Sequence, residues 1–140
     1  MNKLLITLVL GYSFVLPGYA ETSTELFVTL NSGNPQTQGM ALVLATQAVE
    51  QKAGVRVLLC SEGGQLAVRN KESVPLKPRN VSPKDMLQSL LKAGAKVEVC
   101  ALFLPNSDWK LPDLIEGVSV AKPADVAAYL LQPNVKILSY

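Results

Sequence analysis

The chain has 140 residues, 49% of them hydrophobic, with 13 lysines and arginines against 11 acidic residues, two cysteines and no histidine. So small a charge imbalance argues against nucleic acid or a polybasic membrane contact as the main partner. The missing imidazole removes the Ser-His-Asp triad, the Cys-His pair and every zinc site that depends on histidine.

Met1-Asn2-Lys3 carries one positive charge, residues 4–16 form an almost unbroken apolar run, and Pro17-Gly18-Tyr19-Ala20 follows. A short charged start, an apolar stretch of about 7–15 residues, and small residues three and one before the cut are what signal peptidase reads. Gly18 and Ala20 occupy those two places. Crossing a bilayer takes about 20 apolar residues, so residues 1–20 are read as a cleavable leader that leaves no stable membrane anchor. No cysteine follows the cut, which argues against a lipid-anchored lipoprotein. The expected destination is the periplasm of a Gram-negative cell, or otherwise the outside. Residues 21–140 then form one domain of ordinary size. Losing Lys3 leaves 12 basic residues against 11 acidic ones.

Within that domain, residues 25–30 read as a strand that ends at the polar turn Asn31-Ser32-Gly33-Asn34-Pro35. Met40, Val43, Leu44 and Ala48, flanked by Leu42, Ala45 and Val49, recur at helical spacing up to Gly54. Residues 55–60 are a second strand, closed by Ser61-Glu62-Gly63-Gly64. The polar stretch 65–79, with Pro75 and Pro78, reads as a helical turn and an irregular loop. Ser82-Pro83-Lys84-Asp85 starts a helix with an N-cap serine, a first-turn proline and an acid suited to the helix dipole. Met86, Leu87, Leu90 and Leu91 form its inner stripe, and Gly94 ends it.

Residues 96–104 read as the third strand, and 105–108 as a loop leading to Trp109. A short apolar turn at 111–115 precedes a brief strand at 117–120. Residues 123–131 are helical, with Val126, Tyr129 and Leu130 inward. Residues 135–140 form a last strand which, like the first, is expected in the core. Strands that alternate with helices imply parallel pairing. The expected fold is therefore an α/β three-layer sandwich of the flavodoxin or Rossmann type, with a mostly parallel sheet of about five strands.

One internal echo bears on chemistry. Lys52-Ala53-Gly54-Val55-Arg56-Val57-Leu58-Leu59-Cys60 is matched by Lys92-Ala93-Gly94-Ala95-Lys96-Val97-Glu98-Val99-Cys100. Each copy reads as a helix end, a capping glycine and a strand, with cysteine six residues past the glycine. Both cysteines are thus expected late in their strands, Cys60 facing with Leu58 and Arg56, and Cys100 with Glu98 and Lys96. Ligands in open parallel sheets gather at this carboxyl edge.

Cys100 is the candidate catalytic residue, a sulfur-accepting or nucleophilic thiol, since a thiol at that edge meets solvent and helix N-termini. It reads equally as a buried, inert strand cysteine, because free cysteine is among the most buried residue types. Cys60 is the second thiol and a possible disulfide partner. A bridge needs Cβ atoms about 3.5–4.5 Å apart, whereas neighbouring strands lie about 4.7–4.9 Å apart. Asn31, Ser32 and Gly33 lie between strand and helix, where an anion could bind. They belong to a loop without the Walker lysine or a dinucleotide fingerprint, and a plain turn explains them as well. Trp109 either shapes a pocket or subunit contact, or packs over the sheet edge. No motif implies a metal or a cofactor.

The segment Val97-Glu98-Val99-Cys100-Ala101 after its Ala-Gly turn, together with Leu114-Ile115-Glu116-Gly117-Val118, resembles the DsrE/DsrF family of small sulfur-trafficking proteins. The likeness extends to Ser61-Glu62-Gly63-Gly64 with the residues from Leu66 to Arg69, and to the terminal Ile137-Leu138-Ser139-Tyr140. It implies a compact DsrE-like α/β domain, assembly into a trimer or hexamer, and a persulfide carried on a strand-end cysteine, which falls at Cys100. A sulfur-donor or acceptor protein is the implied partner. Family members often follow that cysteine with a second cysteine or an Arg-Gly pair, whereas residues 101–105 here are apolar and uncharged, and the nearest base is Lys110. Two functions therefore stand side by side. One is an exported sulfur carrier, or persulfide-carrying sulfurtransferase, or thiol-redox protein. The other is a non-catalytic oligomeric binding module with buried or bridged cysteines.

Overall fold

The computed structural model describes residues 23–140. The expected leader, residues 1–20, lies outside the described residues. Among the described residues no helix is long and apolar enough to cross a membrane.

Five strands form one parallel sheet in the order β4-β3-β2-β1-β5: β1 (Glu25–Leu30), β2 (Gly54–Leu59), β3 (Lys96–Val99), β4 (Ser119–Val120) and β5 (Val135–Ser139). Helix α1 (Pro35–Glu50) links β1 to β2, α2 (Pro83–Lys92) links β2 to β3, and α3 (Pro123–Leu130) carries the chain back from β4 to β5 beside β1. Right-handed crossovers put α1 and α2 on one face, because their connections step the same way along the sheet. The return through α3 steps the other way and covers the opposite face. The layers are thus α1 and α2, the sheet, and α3, as the alternation of elements predicts.

Helix α2 begins at the Ser82 cap that the sequence predicts, whereas α1 begins at Pro35, inside the stretch read as a turn. Asn34 accepts hydrogen bonds from the Gln36 and Thr37 amides at the start of α1. Ser82 and Asp85 exchange bonds in a capping box at the start of α2, which satisfies amides that would otherwise lack partners. Gly94, at φ +91, supplies the left-handed turn after α2. The echo with Gly54 is imperfect here. Lys52, at φ 68, takes the left-handed position after α1, and Gly54 is already the first residue of β2.

The main core lies under α1 and α2, where Val28, Leu30, Val57, Leu59, Val97 and Val99 alternate out of the sheet onto Ala41, Leu42, Ala45, Leu87 and Leu90. At roughly 25 cal/mol for each Å² of apolar surface removed from water, this face supplies most of the driving force for folding. Alternation turns Phe27 and Leu58 to the other face, where with Ala121, Val126 and Tyr129 they form a smaller cluster. Arg56 and Glu98 share that face.

Several expectations are corrected. The third strand stops at Val99 rather than at residue 104. Its last ladder bond runs from the Cys100 amide to the Leu59 carbonyl at 2.9 Å, and the Phe103 amide then bonds back to the Cys100 carbonyl. A tight turn therefore replaces the strand; Phe103 and Leu104 pack on the core at the sheet end, while Leu102 faces outward. The brief fourth strand spans only Ser119–Val120. The terminal strand is an edge partnered by β1 alone, with Ile137 55% exposed, so it is not a core strand. Met40 and Val43 face solvent, because the sheet meets α1 on the side of Ala41, Leu42 and Ala45.

Candidate functional site

The β2–β3 register pairs Arg56 with Lys96 and Leu59 with Val99. One step further it places Cys60 beside Cys100, both just past their strand ends. Both thiols are free and half-buried. The Cys60 thiol is pushed up to about 12, first by burial and then by its hydrogen bond and charge interaction with the Cys100 thiol, while the Cys100 amide pulls the other way. Cys60 therefore keeps its proton at neutral pH.

Both cysteines open into one cleft of about 910 Å³. Its origin is topological. Five strands span about 19 Å at a spacing of about 4.8 Å, and one helix, running back along them, is only about 10–12 Å across. Among the described residues α3 is the one helix on this face, and it leaves the carboxyl ends of β2 and β3 uncovered. Leu58 and Ala121 line the floor, and Val126, Ala127 and Leu130 of α3 form one wall. The opposite wall is the turn after Cys100, where Phe103 stacks on Trp109 with ring centroids 5.7 Å apart.

A 3-10 helix, Ser61–Ala67, borders the top, and its two glycines are there for space. A side chain at Gly63 would strike the Leu30 carbonyl, and one at Gly64 would strike the Phe103 ring. Glu62 lines the cleft with its carboxylate against Gly33.

One layer below the floor, Arg56 Nε meets Glu98 Oε2 at 2.7 Å, with the two residues 5% and 3% exposed. Lys96 Nζ reaches Glu98 Oε1 at 3.0 Å. The Arg56 guanidinium lies 5.0 Å from the Tyr129 ring and 6.0 Å from that of Phe27, and one of its nitrogens, Nη2, has no hydrogen-bond partner among the described residues. Burial and a hydrogen bond to Glu25 raise the Tyr129 hydroxyl to about 12.

Of the residues singled out from sequence, Cys60, Cys100 and Trp109 come together in the cleft. Asn31, Ser32 and Gly33 stand outside its lining. Their loop spends its polar groups internally: the Asn34 amide bonds to the Ser32 hydroxyl, Gln38 Nε2 bonds to the Ser32 carbonyl, and Asn34 caps α1. Lys110 is also outside the lining; its amide bonds to Asp113. The apolar walls were missed as site residues because Val126 and Leu130, four apart on α3, look like any inward stripe. Among the described residues no three His, Cys, Asp or Glu side chains gather as a metal cluster.

The five-strand parallel sheet with its helices has the DsrE-like α/β fold of two solved structures. The YchN protein of Escherichia coli superposes with a TM-score of 0.68 at 19% identity, over 84% of this chain and 99% of that one. MTH1491 of Methanobacterium thermoautotrophicum, a protein of unknown function, gives 0.64 at 14% identity, over 84% of this chain and all of that one. In sequence, the uncharacterized protein MJ0760 of Methanocaldococcus jannaschii is 25% identical over 114 residues, 80% of this chain. The chain spans 42% of the length of that curated relative. No family model matches the chain.

Proposed function

We propose that the chain is an exported sulfur-handling protein in which Cys100 is the reactive thiol and Cys60 its protonated neighbour. The observation that carries this reading is the lateral pairing of two free cysteines at the floor of one cleft. The Cys100 thiolate attacks the outer sulfur of a persulfide R–S–SH, forming Cys100–S–SH as the donor S–S bond breaks. The donor leaves as R–SH, taking up the proton that Cys100 gave, with no net oxidation. Disulfide exchange uses the same attack. Assembly as a trimer or hexamer would give exposed apolar residues such as Leu102 and Leu131 a partner surface, and an acceptor protein would take the sulfur on. An exported location places the thiols where oxidation competes with persulfide chemistry.

The test is intact mass after incubation with a persulfide donor. Wild type and Cys60→Ser should gain one sulfur atom and Cys100→Ser none. Absence of any gain, or an equal gain in Cys100→Ser, overturns the assignment. Fractionation and N-terminal sequencing of the mature protein test export, for which a start at Glu21 is expected.

The apolar cleft also favours a second reading, an oligomeric binding module without catalysis. Thiol labelling without denaturant separates the two, since rapid labelling of Cys100 contradicts an inert, covered cysteine.

A further inference from the structure

The donor's chemistry is constrained by the walls around the thiols. Leu58, Ala121, Val126, Ala127 and Leu130 are apolar, and the Phe103–Trp109 stack adds an aromatic flank. Among the described residues that line the cleft there is no lysine or arginine, and the charged member is the carboxylate Glu62. Lys71, whose ammonium lies 5.7 Å from the Trp109 ring, and the exposed Lys122 stand outside that lining.

A small sulfur anion entering here would shed its hydration against hydrocarbon with no counter-charge in contact, which is unfavourable. A neutral molecule with an apolar body gains from the same burial. Size points the same way, because a cleft of about 910 Å³ matches the roughly 300–1,000 Å³ that holds a drug-sized organic ligand. An inorganic sulfur species would leave it mostly empty.

We propose that the cleft takes a neutral, apolar organic disulfide or polysulfide, its hydrocarbon against α3 and the Phe103–Trp109 stack and its sulfur at Cys100. This rests on the reading of Cys100 as the reactive thiol. For a disulfide R–S–S–R, the Cys100 thiolate attacks one sulfur, Cys100–S–S–R forms and the donor S–S bond breaks. The other half leaves as a thiol with the proton that Cys100 released. Cys100 is oxidised to the mixed disulfide as that half of the donor is reduced.

The experiment uses full-length Cys60→Ser protein, which isolates Cys100, and two aromatic disulfides of opposite character. These are neutral 2,2′-dithiodipyridine and dianionic 5,5′-dithiobis(2-nitrobenzoate), with 2-mercaptoethanol as the reference for intrinsic reactivity. The neutral-to-anionic rate ratio at Cys100 should exceed the reference ratio by about tenfold or more, as expected for an apolar lining without a cation whose charged member is the carboxylate Glu62. Ala127→Lys, at an exposed position of α3 within the lining, should keep the melting temperature and pull the ratio back toward the reference. A ratio equal to the reference, or one unmoved by Ala127→Lys, overturns the apolar-donor proposal and leaves a reactive Cys100 standing. If Cys100 reacts with neither probe until the chain is unfolded, the cleft is covered and the reactive-thiol reading itself falls.

Discussion

Replacing Glu98 with leucine would strand the Arg56 guanidinium beneath α3, where the Phe27 and Tyr129 rings and a long contact to the Asp125 carbonyl are its remaining neighbours. At 2.7 Å, two unit charges attract by about 6 kcal/mol at an effective dielectric constant of about 20. The desolvation of both residues offsets much of that attraction in the native protein, so the intact pair adds little net stability. Removing one partner restores none of the lost hydration. Glu98→Leu should therefore cost about 3–5 kcal/mol, a large share of the roughly 5–15 kcal/mol that holds a domain folded.

Arg56→Met should cost less, because Glu98 keeps Lys96 at 3.0 Å and that lysine is half-exposed. The double variant Arg56→Met/Glu98→Leu should be more stable than Glu98→Leu alone, since no uncompensated charge stays buried. Urea unfolding followed by Trp109 fluorescence gives all three values, and at about 4 °C per kcal/mol Glu98→Leu should melt about 12–20 °C lower. A cost below about 1 kcal/mol for Glu98→Leu, or a double variant whose cost equals the sum of the singles, would refute a buried, mutually compensating pair.

Three further outcomes follow from local geometry. Alkylation of Cys60 in a Cys100→Ser protein should still need pH above the ordinary thiol range, because burial, the largest cause of its raised value of about 12, survives the substitution; an alkylation midpoint near 9 would contradict it. The sign for stability is the same, in that a thiol held protonated by the fold destabilises the native state as pH rises from about 9 toward 12, and Cys60→Ser should soften that alkaline decline. Gly63→Ala should lower stability by about 1–3 kcal/mol, since the new methyl meets the Leu30 carbonyl, and urea midpoints check it. Ser82→Ala should cost about 1 kcal/mol by removing the capping box of α2, measurable as a small melting shift with the cleft thiols' labelling rates unchanged.

The alternation of strands and helices, the cap at Ser82 and the glycine after α2 were all legible along the chain, because each depends on a few neighbouring residues. The 40-residue echo carried the equal depth of Cys60 and Cys100 in their strands, while their pairing required β2 and β3 to be neighbours in the sheet. What lay beyond local reading was decided by partners distant in sequence. Residues 100–104 have the composition of a strand, yet they turn, with Phe103 and Leu104 packed on the core at the sheet end. The sequence 135–140 looks like core and lies at an edge, because strand order is a property of the crossovers. Arg56 and Glu98 showed only their parity, and their contact required β2 and β3 to lie side by side. The cysteines at the carboxyl edge were thus determined by the sequence alone. The cleft they face exists because one helix must cover a face that five strands present, and the tertiary structure alone decided that.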